Sequence, residues 1–106
     1  MCKMNSAGRM PAILSIMNIR AEIIITGRVQ GVFFRQGVKH TALELGLVGW
    51  VRNEPDGTVR IVAQGQREQL QKLVEWCKKG TEWTKIEHVQ PEWKEATGEF
   101  ERFEVK

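Results

Sequence analysis

Nine residues, Gly27-Arg28-Val29-Gln30-Gly31-Val32-Phe33-Phe34-Arg35, join two segments of different hydrophobic period, and that junction restricts the fold more than any other stretch. Before it, Arg20 to Thr26 alternates, with Ala21, Ile23 and Ile25 on one face and Glu22, Ile24 and Thr26 on the other, the pattern of a half-buried strand. After it, Phe34, Val38, Ala42 and Leu45 recur at helical spacing, with Arg35, Gln36, Lys39 and Glu44 on other faces. A strand, a glycine-bearing turn and a helix start gather backbone N–H groups in a small concavity. The helix N-terminus adds roughly half a positive charge. That geometry suits an anion, and Arg35 sets a planar guanidinium beside it. The loop pattern taken alone fits a plain turn as well as a phosphate cradle. It is not a Walker A motif, because no Lys-Ser or Lys-Thr follows the second glycine, and it is not G-x-G-x-x-G.

Gly46 stops the first helix as a glycine just past the last turn does. Leu47 to Asn53 and Thr58 to Gln64 read as strands joined through Glu54-Pro55-Asp56-Gly57, whose Pro and Asp-Gly chemistry makes a tight reversal and an antiparallel hairpin. Leu70, Leu73, Val74 and Cys77 form the stripe of a second helix, with Glu68/Lys72 and Glu75/Lys79 spaced as i,i+4 pairs and Gly80 as its stop. Lys85 to Val89 reads as a fourth strand interrupted by Pro91, and Glu99 to Val105 as a short final one. The order βαββαβ plus a terminal strand predicts an α/β (α+β) two-layer sandwich of ferredoxin-like type, with two helices on one face of a mostly antiparallel sheet.

At 106 residues the chain is long enough for one domain, placed at 17–106, with 1–16 as a loose extension. The net charge of +3 reads first as a solubility margin, with mild attraction of small anions as the alternative. No basic run is dense enough for a nucleic-acid tail. The apolar patch from Pro11 to Ile19 is too short to span a membrane and too interrupted for a signal peptide. Cys2 and Cys77 form no C-x-x-C pair, and Cys77 falls on the apolar stripe as a buried thiol, so a reducing cytoplasm is the expected location.

Asn53 ends its strand just before the reversal, where Asn is a common turn former. This topology can also bring that strand end beside the start of the first helix, where a carboxamide could orient a water by donating and accepting at once. Together, Gly27-to-Arg35 and Leu45-Gly46-Leu47-Val48-Gly49-Trp50-Val51-Arg52-Asn53, followed by Asp56-Gly57-Thr58-Val59, resemble the acylphosphatase family. The resemblance runs from about Arg20 to the C-terminus, is dense to Gly65 and thins after Gly80. There the family often continues with Pro and then small and Val positions, but this chain reads Thr81-Glu82-Trp83-Thr84-Lys85-Ile86.

The resemblance implies a monomeric enzyme that hydrolyses the carboxyl–phosphate anhydride of acyl phosphates to a carboxylate and inorganic phosphate, with no metal or organic cofactor. On the matching positions Arg35 corresponds to the phosphate-binding catalytic arginine and Asn53 to the residue that positions the attacking water. The backbone amides of Gln30, Gly31, Val32, Phe33, Phe34 and Arg35 correspond to the phosphate loop. Arg28 could steer an anion or simply be solvated. Phe33 and Phe34 are expected to anchor the loop, Trp50 to lie in the core, and His40 and His88 to be surface or structural. A binding module on the same fold is the alternative. An RNA-binding sheet would need aromatic residues on its central strands, where this chain offers Ile23-Ile24-Ile25 and Val59-Arg60-Ile61-Val62. A domain that binds a phosphorylated compound without turnover would not need both Arg35 and Asn53. No nucleic-acid or membrane partner is therefore expected.

Overall fold

The computed structural model describes residues 18–31 and 33–106. The extension expected over 1–16, the boundary at Met17, Cys2 and the loop residue Val32 lie outside the described residues. The elements follow in the order β1 (Asn18–Arg28), α1 (Phe34–Glu44), β2 (Val48–Asn53), β3 (Val59–Gln66), α2 (Arg67–Lys79), β4 (Lys85–Glu95) and β5 (Phe103–Val105). The sheet order is β4-β1-β3-β2-β5. β1 pairs antiparallel with β3 and β4, β2 and β3 form the expected hairpin, and β5 lies parallel to β2. This is the ferredoxin-like two-layer sandwich with an added C-terminal strand.

Pleat and helix period decide which side chains meet. Ala21, Ile23 and Ile25 of β1, Val51 of β2 and Val59, Ile61 and Ala63 of β3 form one buried cluster with Phe34, Val38 and Ala42 of α1 and Leu70, Leu73, Val74 and Cys77 of α2. Burying each of the larger apolar side chains stabilises the fold by about 1.5–3 kcal/mol. The Phe34 and Trp76 rings stack with centroids 5.5 Å apart, joining the start of α1 to α2. α1 closes with a Schellman pair: Leu47 N–H donates to Ala42 O at 2.9 Å and Gly46 N–H to Leu43 O at 3.1 Å. The start of α1 is therefore fixed by packing and its end by hydrogen bonds. No described helix is long and apolar enough to cross a membrane.

The opposite face of the sheet carries charge. Glu22 accepts from Arg20 at 2.9 Å, Arg60 at 3.1 Å and Lys94 at 3.2 Å, and Arg20 continues to Glu99 at 2.7 Å. Burial pushes the Glu22 carboxyl up, but hydrogen bonds from Lys94 and Arg20 outweigh it and hold the group below the usual carboxylate range. Trp50 lies on this face and is only half-buried, with the Arg52 guanidinium 4.6 Å and the Lys106 ammonium 5.5 Å from its ring. The core position expected for Trp50 belongs to its neighbour Val51, because successive side chains in a strand point to opposite faces.

Three other expectations change. β4 continues through Pro91 to Glu95, because it is an edge strand and a proline there need not remove a ladder bond. The ion pair found on α2 is Glu75 with Lys78 at 3.4 Å, an i,i+3 spacing rather than the expected i,i+4. Phe33 and Phe34 part company: Phe34 is buried in the core, but Phe33 is 84% exposed. A loop followed by a helix turns adjacent side chains in different directions, so only one of the two reaches the core.

Candidate functional site

The two glycines of the loop serve different needs. At Gly27 (φ 133°) a Cβ would sit 2.0 Å from the carbonyl oxygen of Lys85, so the close neighbour is the β4 backbone, beside a register shift between Thr26 and Gly27. At Gly31 (φ 75°) nothing lies within 4 Å of such a Cβ, and the requirement is the left-handed backbone itself. Between them Gln30 extends its side-chain amide away from the loop and donates to the carbonyl oxygens of Glu54 and Thr58, both at 2.8 Å. The loop is thus tied to the β2–β3 turn.

Helix α1 opens without a capping side chain and without an acidic residue in its first turn. Its N-cap, Phe33, has φ 59° and ψ 19°, the left-handed region that costs a non-glycine residue about 1–2 kcal/mol. The first intrahelical bond runs from Gly37 N–H to Phe33 O at 3.2 Å, and the earlier N–H groups have no intrahelical acceptor. Val29, Gly31, Phe33, Phe34, Arg35 and Gln36 line a cavity of about 280 Å³ at this point. A larger cavity of about 430 Å³ includes Asn18, Gln64, Gln66 and Gln69 in its lining but no ionisable side chain. Size favours the second cavity. Chemistry favours the first, because its lining holds a guanidinium, Arg35, at a helix start, whereas the second has the start of α2 without the Arg67 side chain.

Arg35 is half-buried, and its Nη1 donates to the main-chain oxygen of Lys106 at 2.8 Å. Lys106 N–H in turn donates to Val51 O at 2.8 Å, so Arg35 is linked through one residue to β2. Val51 points into the core beneath the helices, and Asn53, two residues on, shares that face. Asn53 is half-buried, and its Oδ1 is shielded and accepts no hydrogen bond from the protein. Shielded carboxamide oxygens are normally paired; Gln69 Oε1, in the lining of the larger cavity, is the other unpaired one among the described residues, and Asn53 differs from it in lying beside the turn to which the loop is tied. The turn beyond it is fixed from within: Glu54 N–H donates to Thr58 O at 2.8 Å, and Asp56 accepts from the Thr58 hydroxyl at 2.7 Å and its N–H at 3.0 Å. Those two bonds, from the hydroxyl first, hold the Asp56 carboxyl below the usual range.

The loop, the start of α1 and the end of β2 are therefore joined by hydrogen bonds at one end of the sheet. Gln30, Gly31 and Phe33 lie in the loop, Phe34 and Arg35 in the first turn of α1, and Asn53 at the end of β2, next to the turn that Gln30 holds. His40 pairs at 3.5 Å with Glu44 on the exposed side of α1, and His88 is exposed on β4. Sequence reasoning missed the Gln30 side chain and Lys106. A lone carboxamide between Val29 and Gly31 is the visible sign of the first. The second depends on β5 pairing with β2, which no local pattern announces.

The family model for acylphosphatase matches residues 21–105. An acylphosphatase of Pelotomaculum thermopropionicum is 46% identical over 86 residues, covering 81% of this chain and 94% of its own length. The crystal structure of an acylphosphatase from Bacillus subtilis superposes with a TM-score of 0.80 at 36% identity, covering 83% of this chain and 98% of its own. An acylphosphatase from Coxiella burnetii gives 0.77 at 35% identity, covering 86% and 95%.

Proposed function

The chain belongs to the acylphosphatase family, a hydrolase acting on acyl phosphates, and from that premise we propose that Arg35 binds the phosphoryl group while Asn53 orients the attacking water. Phosphoryl transfer leaves the protein little covalent work, so positioning and charge stabilisation dominate. The guanidinium offers a planar pair of donors to the equatorial oxygens, each charge-assisted bond worth about 1.5–3 kcal/mol. The loop amides and the start of α1 supply further donors, the helix end contributing about 0.3–1 kcal/mol.

The Asn53 Oδ1 accepts a hydrogen bond from one O–H of the water, whose proton stays on the oxygen that becomes the new P–OH, and so turns the water's lone pair toward phosphorus. The new O–P bond forms as the bond from phosphorus to the acyl oxygen breaks, and the carboxylate leaves with that electron pair. A carboxylate is a good enough leaving group to depart unprotonated. The water's second proton passes to a non-bridging oxygen of the substrate's own phosphoryl group. The observation that carries this reading is the shielded, unpartnered Asn53 Oδ1 at the strand end to which the loop is tied.

The test is hydrolysis of benzoyl phosphate in the presence of a metal chelator, with Arg35→Ala as control. Turnover by the wild type and none by the control is expected. Turnover that survives in Arg35→Ala, or disappears with the chelator, contradicts the proposal.

A further inference from the structure

Gln30 contributes more than a main-chain N–H. Its amide donates both of its protons, at 2.8 Å each, to the carbonyl oxygens of Glu54 and Thr58. Glu54 directly follows Asn53, and Thr58 directly precedes Val59, the ladder partner of Asn53. Both carbonyls already serve the turn: Glu54 O accepts from Gly57 N–H at 3.1 Å and Thr58 O from Glu54 N–H at 2.8 Å. A carbonyl oxygen has two lone pairs, so Gln30 uses the remaining capacity of each without competing with the turn. An ionised Glu donates nothing, and a hydroxyl has one proton to give. Among the described residues, Gln30 is the one loop side chain that reaches the turn by hydrogen bonds.

We infer that Gln30 is a positioning residue, whose two donated bonds fix the separation between the phosphate-holding loop and the Asn53 carboxamide. The inference rests on the roles proposed for Arg35 and Asn53. In-line displacement needs the water aligned with phosphorus, and a misplacement of about 1 Å costs up to about a hundredfold in rate. The loss falls on kcat, because Arg35 and the loop amides that hold phosphate keep their own contacts.

Gln30→Met retains the length and removes both donors. Its kcat on benzoyl phosphate and its inhibition by inorganic phosphate are to be measured in the wild-type and Asn53→Ala backgrounds, below the thermal transition of each folded variant. In the wild-type background kcat falls by up to about a hundredfold with phosphate inhibition nearly unmoved. In the Asn53→Ala background the same change costs less than about twofold, since the group it places is gone. Equal losses in both backgrounds, or full kcat in folded Gln30→Met, overturn the inference. Asn53→Ala retaining full kcat sinks the underlying reading first, and this inference with it.

Gln30→Glu supplies a second test should the methionine variant not fold. Ionised, it faces two carbonyl oxygens and loses the tie; protonated, it is isosteric with Gln and donates one bond. Its kcat relative to wild type at the same pH rises as pH falls toward and below the carboxyl's pKa, which the two carbonyls raise above the usual value of about 4.3. A ratio that stays flat with pH counts against the inference.

Discussion

The two helices begin differently. α2 starts from Gln66 in ordinary extended conformation, carries Glu68 in its first turn and ends on Lys78 and Lys79. Its first turn sets that acid beside Arg67, and the two lysines suit the negative end of its dipole. α1 starts from a left-handed Phe33, has no acidic residue in its first turn and no basic one in its last. Neither start has a capping side chain. The positive end of α1 is thus left for a charge from outside the chain, and Arg35 stands beside it. Both starts carry an arginine, but only that of α2 has an acid beside it.

The largest difference between the two starts should come from their arginines. Arg35→Lys keeps the charge but loses the planar fork and should remove one or two charge-assisted bonds of about 1.5–3 kcal/mol each. Turnover and inhibition by inorganic phosphate should fall together. Arg67→Lys, at the first position of α2, where the guanidinium lies 4.6 Å over Trp93, should leave both unchanged. Near-native phosphate inhibition in Arg35→Lys would refute the fork.

Next in size is Asn53→Ala, which removes the shielded carboxamide at the end of β2. If it acts like loss of an oxyanion donor, kcat falls by roughly 2.7–4 kcal/mol in barrier terms while phosphate inhibition holds. Parallel loss of phosphate inhibition would move Asn53 from water orientation to phosphate binding.

Phe33→Gly relieves the left-handed strain, less the entropy a glycine brings, and should raise stability by about 1 kcal/mol in denaturant melts. Gln66→Gly, at an extended N-cap, should give no such gain. A Phe33→Gly variant no more stable than wild type would mean that the loop does not store strain there.

The smallest effect is an exchange of first-turn charge. Gln36→Glu gives α1 the acid it lacks; it should stabilise the fold by about 0.3–1 kcal/mol and weaken phosphate inhibition by repelling the anion. Glu68→Gln should cost a similar amount at α2 without touching phosphate. Phosphate inhibition unchanged by Gln36→Glu would show that the α1 dipole does not reach the anion.

Local chemistry made much of this legible. The Asp56-Gly57 reversal, the stripe of Leu70, Leu73, Val74 and Cys77, and the stop at Gly46 each follow from residues within a few positions of one another. Hydrophobicity alone does not choose between Trp50 and Val51, adjacent residues of opposite pleat, and it is Val51 that faces the helices. Pro91 signals a strand end in a local reading, and only the position of β4 at the sheet edge lets the strand run through it. In the site, Arg35 and Asn53 could be picked out from two motifs, but not the bonds that tie their surroundings together. Gln30 reaches partners 24 and 28 positions away, and Arg35 one 71 positions away. Such contacts exist only after the sheet has assembled.

The long outer border of the sheet, β4, bears on self-association. An edge strand of eleven residues, paired with β1 on one side only, would invite another chain to add itself as a further strand. Here that border carries Lys85, Glu87, Glu92, Lys94 and Glu95 together with Pro91, so an incoming strand meets charge and a missing donor. The other border, β5, is three residues long and offers too little length to template anything. Both margins therefore resist aggregation by different means, and concentrated protein should stay clear of edge-to-edge fibres for as long as Pro91 and its charged neighbours are kept.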